Sequence, residues 1–208
     1  MILDYGGVIT KPQKADFEER IYKILGHEAQ DFMKICHQYR ADYDNGNYTG
    51  EEYWTQILNQ LGFPIDKSIF PVLIDEDIRS WIEINPNMFQ LIAETRKKVS
   101  NRSIISNMPR DFLEPVKKQE NLLAYFDETV FSSEVGLNKP NKRIYELCLE
   151  NIGIPPNECL YVDDSKANIE TARELGMQTI HFRTFTQFTD EFYSSIVHRT
   201  KMFSTKQS

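Results

Sequence analysis

Two hydrophobic rhythms divide the chain. Between residues 12 and 86 apolar side chains recur at helical spacing, with no alternating strand pattern among them. Phe17, Ile21, Ile24 and Leu25 mark a first helix that Gly26 can end, and Phe32, Ile35, Cys36 and Tyr39 mark a second. The cluster Asp42-Tyr43-Asp44-Asn45-Gly46-Asn47 reads as a turn. Thr49 followed by Glu52 has the form of a capping box, opening a third helix that carries Tyr53, Trp54, Ile57, Leu58 and Leu61. Gly62-Phe63-Pro64 stops it, and a fourth helical stretch runs from about Lys67 to Ile84 with Trp81 on its apolar side. Four helices with short connections predict a small bundle. The aromatic run Tyr39, Tyr43, Tyr48, Tyr53 and Trp54 reads as bundle core, with Tyr43 and Asn45 in a turn that could close over a site.

After Pro86 the rhythm changes. Short β-branched runs alternate with helical stretches: a helix with Met88, Leu91, Ile92 and Thr95, a strand through Arg102–Ser106, a helix with Phe112, Val116 and Leu122, and a strand over Glu128–Ser132. A helix with Ile144, Leu147, Cys148 and Ile152 closes at Gly153, and a strand Cys159–Val162 follows. A helix with Ile169, Ala172 and Leu175 closes at Gly176, and Gln178–Phe182 is the last strand. Strand–helix alternation of this kind predicts an α/β doubly wound parallel sheet, Rossmann-like, with the bundle as an inserted α-helical cap. The boundaries drawn are 1–11 and 87–200 for the core, 12–86 for the insertion and 201–208 for a flexible tail, the polar character beginning at His198.

The core's first strand opens the chain. Met1-Ile2-Leu3 leads into Asp4, then Tyr5-Gly6-Gly7-Val8-Ile9. A strand here delivers Asp4 to the carboxyl edge of the sheet, where open α/β folds place their chemistry. Only three residues precede Asp4, so either the strand is short or residues lie upstream of Met1.

Composition narrows the partners. Lys plus Arg is 24 against 31 for Asp plus Glu, a formal net charge of -7, which argues against nucleic acid as the main partner. Cys36, Cys148 and Cys159 are odd in number and lack CxxC spacing, so they read as reduced thiols. No signal segment and no apolar run near the ~18 residues of a span is present, and the chain is expected to be cytoplasmic, with no membrane partner. His27, His37, His181 and His198 lack ligand spacing and read as structural or surface residues. The oligomeric state is not encoded in any pattern.

Several strands end in polar residues: Asp4, Ser106-Asn107, the segment reaching Lys139, and Asp163-Asp164. Any one could be an ordinary turn or a helix N-cap. Together they describe a site. Three carboxylates brought close cannot all stay ionised without compensation, which a hard cation such as Mg²⁺ supplies. Ser106, Asn107 and Lys139 add hydroxyl, amide and ammonium donors suited to a phosphate. Asp4 is then placed to attack phosphorus and form an aspartyl-phosphate.

The stretches Asp4-Tyr5-Gly6-Gly7-Val8-Ile9, Ile104-Ile105-Ser106-Asn107, Gly136-Leu137-Asn138-Lys139-Pro140 and Tyr161-Val162-Asp163-Asp164-Ser165-Lys166-Ala167-Asn168 resemble, in order, the four motifs of the haloacid dehalogenase-like hydrolase superfamily. The chain is most similar to members with a helical cap after the first motif, such as the phosphatase-like amino-terminal domain of bifunctional epoxide hydrolases and α-D-glucose-1-phosphate phosphatase. The resemblance implies Asp4 as nucleophile and metal ligand, the Gly6 carbonyl as a second ligand, and Asp164 as the principal acidic ligand with Asp163 in support. It implies Ser106 and the Asn107 main chain as phosphate binders, with Lys139 neutralising phosphoryl oxygens and orienting Asp4. Asn168 stands where many relatives carry a further acid.

One departure matters. Phosphatases of this group usually carry a second Asp two positions after the nucleophile, as general acid and base; here that residue is Gly6. Such help is typically worth ~10²–10⁴ in rate, so slow turnover is expected unless the leaving group is good or a water or cap residue donates the proton. The expected activity is Mg²⁺-dependent hydrolysis of a small phosphomonoester such as a sugar phosphate. Two other readings remain. One is a catalytically weak regulatory or scaffold protein on the same fold, which Gly6 and the abbreviated first strand favour. The other is a 2-haloacid dehalogenase, whose members usually carry Tyr at the position of Gly6.

Overall fold

The computed structural model describes residues 1–97, 99–119 and 122–204. Five parallel strands form the centre: β1 Ile2–Leu3, β2 Ser103–Ser106, β3 Glu128–Phe131, β4 Leu160–Asp163 and β5 Gln178–His181, in the order β3-β2-β1-β4-β5. β1 is only two residues long, yet it is the middle strand. Ile2 pairs with Ser103 on one side and Tyr161 on the other, and Leu3 pairs with Ile104 and Val162. Ile2, Leu3, Ile104, Ile105 and Val162 are all fully buried, as expected for strands covered on both faces. Its two flanking ladders hold β1 in register.

Directly after Asp4, Tyr5–Ile9 form a single wide turn in which the Thr10 amide donates to the Tyr5 carbonyl at 2.9 Å. The chain then leaves the sheet. Its exit and return run side by side: Lys11 N donates to Glu83 O at 2.7 Å and Asn85 N to Ile9 O at 2.9 Å. Between them lie α1 Phe17–Leu25, α2 Phe32–Asp44, α3 Gly50–Leu61 and α4 Phe70–Trp81, the last preceded by a 3₁₀ turn Lys67–Ile69. The capping box at Thr49 and Glu52 is present. Tyr53 and Trp54 are buried, and Tyr53 stacks on Tyr43 at 4.5 Å. α2 runs through Asp44, so much of the cluster read as a turn is helix; Tyr43 is a buried α2 residue whose hydroxyl donates to Asp111 at 2.9 Å.

The sheet is covered by α5 Pro86–Glu94, α6 Arg110–Lys117, the short α7 Ser132–Val135, α8 Lys142–Ile152, α9 Lys166–Glu174 and α10 Phe185–Ser204. α6 ends before Leu122, which sits in a separate 3₁₀ turn. α10 differs from the polar tail read from His198 onward: Phe188 and Phe192 pack into the core and the helix continues to Ser204. Residues 205–208 of that expected tail lie outside the described residues. No helix among the described residues is long and apolar enough to cross a membrane.

Candidate active site

The register places the acids. Leu3 pairs with Val162, and the Asp4 amide still donates to the Val162 carbonyl at 2.9 Å, so Asp4 and Asp163 leave adjacent strands at the same edge. Oxygens of Asp4, Asp163 and Asp164 lie within 4.8 Å of one another. Lys139 sits between two of them, with Nζ 2.7 Å from Asp4 Oδ1 and 2.8 Å from Asp163 Oδ2. Its side chain is 1% exposed.

The bonds divide the two inner acids by role. Asp163 accepts Lys139 and the Tyr161 hydroxyl on Oδ2, the Ser165 amide on Oδ1, and the Asn168 side-chain amide on both oxygens. Burial works against its ionisation, but Lys139 and these donors outweigh it and hold the carboxyl below its usual range. Asn168 thus donates where a further acid would add a fourth negative charge. Asp4 accepts Lys139 and the Tyr5 amide on Oδ1, the latter at 2.6 Å, and neither bond falls on Oδ2. Burial and the neighbouring Asp163 push the Asp4 carboxyl up to about 8, Lys139 offsetting only part. Asp164 is raised as well, by burial and then by Asp163. The site therefore holds more negative charge than its ammonium compensates. That imbalance, with oxygen donors alone and an unused Asp4 oxygen, fits a hard divalent cation.

Gly7 makes the approach of Asp164 possible. Its φ is +73°, and a Cβ there would lie 2.3 Å from Asp164 Oδ2. Gly6 is different: a Cβ there would meet only the Trp81 ring, at 3.6 Å from Cε3.

The side of the site that carries Ser106, Asn107 and Lys139 is built by two loops. Asn107 donates from Nδ2 to the Lys139 carbonyl at 3.0 Å and accepts the Lys139 amide on Oδ1 at 2.7 Å, tying the β2 end to the lysine's backbone. Next to it, the Met108 amide donates to Ser132 Oγ at 2.8 Å, and that hydroxyl donates to the Asp44 carbonyl of α2. Asn138 Nδ2 reaches the Ala41 carbonyl at 2.6 Å. The inserted helices are thereby bonded to the same loops that carry Ser106, Asn107 and Lys139.

A cavity of about 560 Å³ opens over these groups. Asp4, Gly6, Ser106, Asn107, Lys139 and Asp164 line it, so the positions singled out in the sequence converge, with Asp163 behind them on Lys139. Its other wall was not read from the sequence: His37, Arg40 and Asp44 of α2, Trp81 at the end of α4, and Phe112 of α6. His37, read as structural or surface, is exposed but lines the cavity. The available signal was a charged pair, Arg40 and Asp44, set within the aromatic stripe of a helix otherwise read as core.

Comparison with known proteins identifies the family and the fold. A family model described as haloacid dehalogenase-like hydrolase matches residues 1–176. The bifunctional epoxide hydrolase 2 of Rattus norvegicus is 33% identical over 107 residues, 48% of this chain but only 19% of that protein. The chain thus spans a small part of some of the curated relatives it matches. The D-ribitol-5-phosphate phosphatase of Bacteroides thetaiotaomicron is 22% identical over 86% of this chain and 89% of its own. A haloacid dehalogenase family enzyme of the same organism, solved with magnesium and inorganic phosphate, superposes with a TM-score of 0.72 at 22% identity, covering 88% of this chain and 93% of that one. At that identity the likeness shows the fold.

Proposed function

The chain belongs to the haloacid dehalogenase-like hydrolases, and from that premise we propose that it hydrolyses small phosphomonoesters, with Asp4 as the nucleophile. The observation that carries the reading is Asp4 itself: a buried carboxylate at the sheet edge, held on Oδ1 by Lys139 and the Tyr5 amide, with neither bond on Oδ2.

In this reading the phosphoryl group lies against Ser106, the main chain at Asn107, and Lys139. The Lys139 ammonium fixes the Asp4 rotamer and offsets charge on the phosphoryl oxygens. An Asp4 oxygen attacks phosphorus, the ester oxygen departs, and water later hydrolyses the aspartyl-phosphate. Asp4, the Gly6 carbonyl and Asp164 would hold Mg²⁺, with Asp163 in support through Lys139 and the Ser165 amide. When bound, the cation supplies charge neutralisation at the transferring group. Trp81 stands over Gly6, where an acid would otherwise emerge, so the leaving group departs without a proton from that position. This favours esters of good leaving groups, such as anomeric sugar phosphates. It is also the feature that favours the weak-scaffold alternative.

The test is phosphate release from p-nitrophenyl phosphate and a panel of sugar phosphates, with Mg²⁺ and with EDTA, beside Asp4→Asn. Release that needs Mg²⁺ and disappears in Asp4→Asn is the expected result. No release above the Asp4→Asn background, from folded protein that binds Mg²⁺, would overturn the reading in favour of a scaffold. Metal-independent halide release from a 2-haloacid would overturn it in favour of a dehalogenase.

A further inference from the structure

The cavity contains a second buried charge cluster, away from Lys139. Arg40 donates from Nε to Asp44 Oδ1 at 2.7 Å, and from Nη1 to both oxygens of Asp77 at 3.1 and 3.0 Å. Its guanidinium lies 5.5, 6.0 and 5.4 Å from the ring centroids of Tyr43, Trp81 and Phe112. The Asp77 side chain is 1% exposed. One guanidinium thus faces two carboxylates, Asp77 buried behind the cavity wall and Asp44 and Arg40 partly exposed at 12% and 21%, an arrangement that stability alone rarely rewards.

Among the described residues lining the cavity, Arg40 and Lys139 are the only lysine or arginine side chains. Each is held by two carboxylates: Lys139 by Asp4 and Asp163, Arg40 by Asp44 and Asp77. His37, the remaining basic side chain of the wall, is exposed, where water and salt screen it. A substrate carrying a second anionic group on its leaving side, whether carboxylate or phosphate, would meet Asp44 and a guanidinium already held by two carboxylates. Like charges set together in a closed site oppose binding strongly. Uncharged groups fare better. The rings of Trp81 and Phe112 line the cavity and offer apolar surface to an uncharged group. A volume of about 560 Å³ takes a phosphate with a leaving group of monosaccharide size.

We propose that this site selects phosphomonoesters whose leaving group is uncharged, and that Asp44 and Asp77, by holding Arg40, are the device that excludes a second negative charge. The inference rests on the phosphomonoesterase reading for the transferred group and adds the nature of what remains.

Two matched pairs test it: glucose 6-phosphate with 6-phosphogluconate, and glycerol 3-phosphate with 3-phosphoglycerate. Values of kcat/KM are measured for the wild type and for Asp44→Asn, which removes one of the two negative charges that face Arg40. Asp77→Asn is the second variant, removing the other charge should Asp44→Asn not fold. The same compounds are titrated calorimetrically into Asp4→Asn protein with Mg²⁺, as a readout independent of turnover. The wild type is expected to favour the uncharged member of each pair by about tenfold or more. The variants are expected to shrink that ratio by a similar factor, through a lower KM for the charged member. Equal or reversed preference in the wild type, or a ratio unchanged in both variants, overturns the proposal. Turnover without this preference defeats the proposal and leaves the phosphatase reading standing. Preferential binding of the uncharged member without turnover by the wild type does the reverse, and binding of neither member defeats both.

Discussion

At the scale of single residues, the chemistry turns on what stands beside Asp4. Its carboxyl is raised to about 8 by burial and by Asp163, whereas a free aspartate ionises near 4. The upward shift means that part of the protonated form of Asp4 persists near neutral pH, and a cation must displace that proton. Mg²⁺ binding at pH 7 is expected to release protons, and its affinity to rise with pH. Calorimetry in buffers of different ionisation enthalpy reads the proton count; no release at pH 7 would contradict it. Gly6 sets the second expectation. With no acid at that position, rates across a series of aryl and alkyl phosphates should fall steeply as the leaving group becomes more basic. A Cβ at Gly6 meets the Trp81 ring at an ordinary 3.6 Å, so Gly6→Asp fits at its first side-chain atom and must turn its carboxyl along the Trp81 ring. It should raise turnover of alkyl phosphates, by up to about 10²-fold, while changing p-nitrophenyl phosphate little. Equal effects on both would show that proton donation is not what position 6 lacks.

Elements explain why those residues meet. β1 is two residues long, but it pairs on both sides, and the register alone sets Asp4 beside Asp163. The turn that follows requires glycine at position 7 for two separate reasons, its positive φ and the Asp164 carboxylate in the place of a Cβ. Gly7→Ala should cost about 1–2 kcal/mol from the left-handed conformation alone, and should weaken Mg²⁺ binding besides by displacing Asp164. Urea unfolding with and without Mg²⁺ measures both; a variant with unaltered metal affinity would show that Asp164 is not held where Gly7 meets it. Much of this was legible in the chain. Helix ends at Gly26, Gly62 and Gly153 carry left-handed caps, and the strand ends that carry Asp4, Asn107 and Asp163 lay where β-branched runs gave way to polar residues. The cavity's other wall was not legible. His37, Arg40 and Asp44 share α2 with buried Ile35, Cys36 and Tyr43, and periodicity identifies a buried face without saying which cavity its polar neighbours line. The amphipathic α10 was missed for a related reason: Phe188 and Phe192 are too few among polar residues to stand out as a stripe.

At the scale of the molecule, two of the junctions among the described residues tie the inserted helices to the rest of the fold around the site. The paired segments at residues 9–11 and 83–85 form the crossing between them. The second junction runs from Asp44 through Ser132 to Met108, and from Ala41 to Asn138, so the helices that complete the cavity are bonded to the loops that carry the phosphate-binding groups. That coupling joins the two walls of the cavity into a single chamber. The account of that chamber rests on Asp4 taking the phosphoryl group. The most direct measurement is an acid quench of wild-type protein during turnover of p-nitrophenyl phosphate with Mg²⁺, followed by mass spectrometry of the amino-terminal peptide. The account predicts one phosphoryl group on Asp4, present during turnover, absent in EDTA and absent from Asp4→Asn. Steady hydrolysis with no phosphoryl group at Asp4, or with one on another residue, would contradict it.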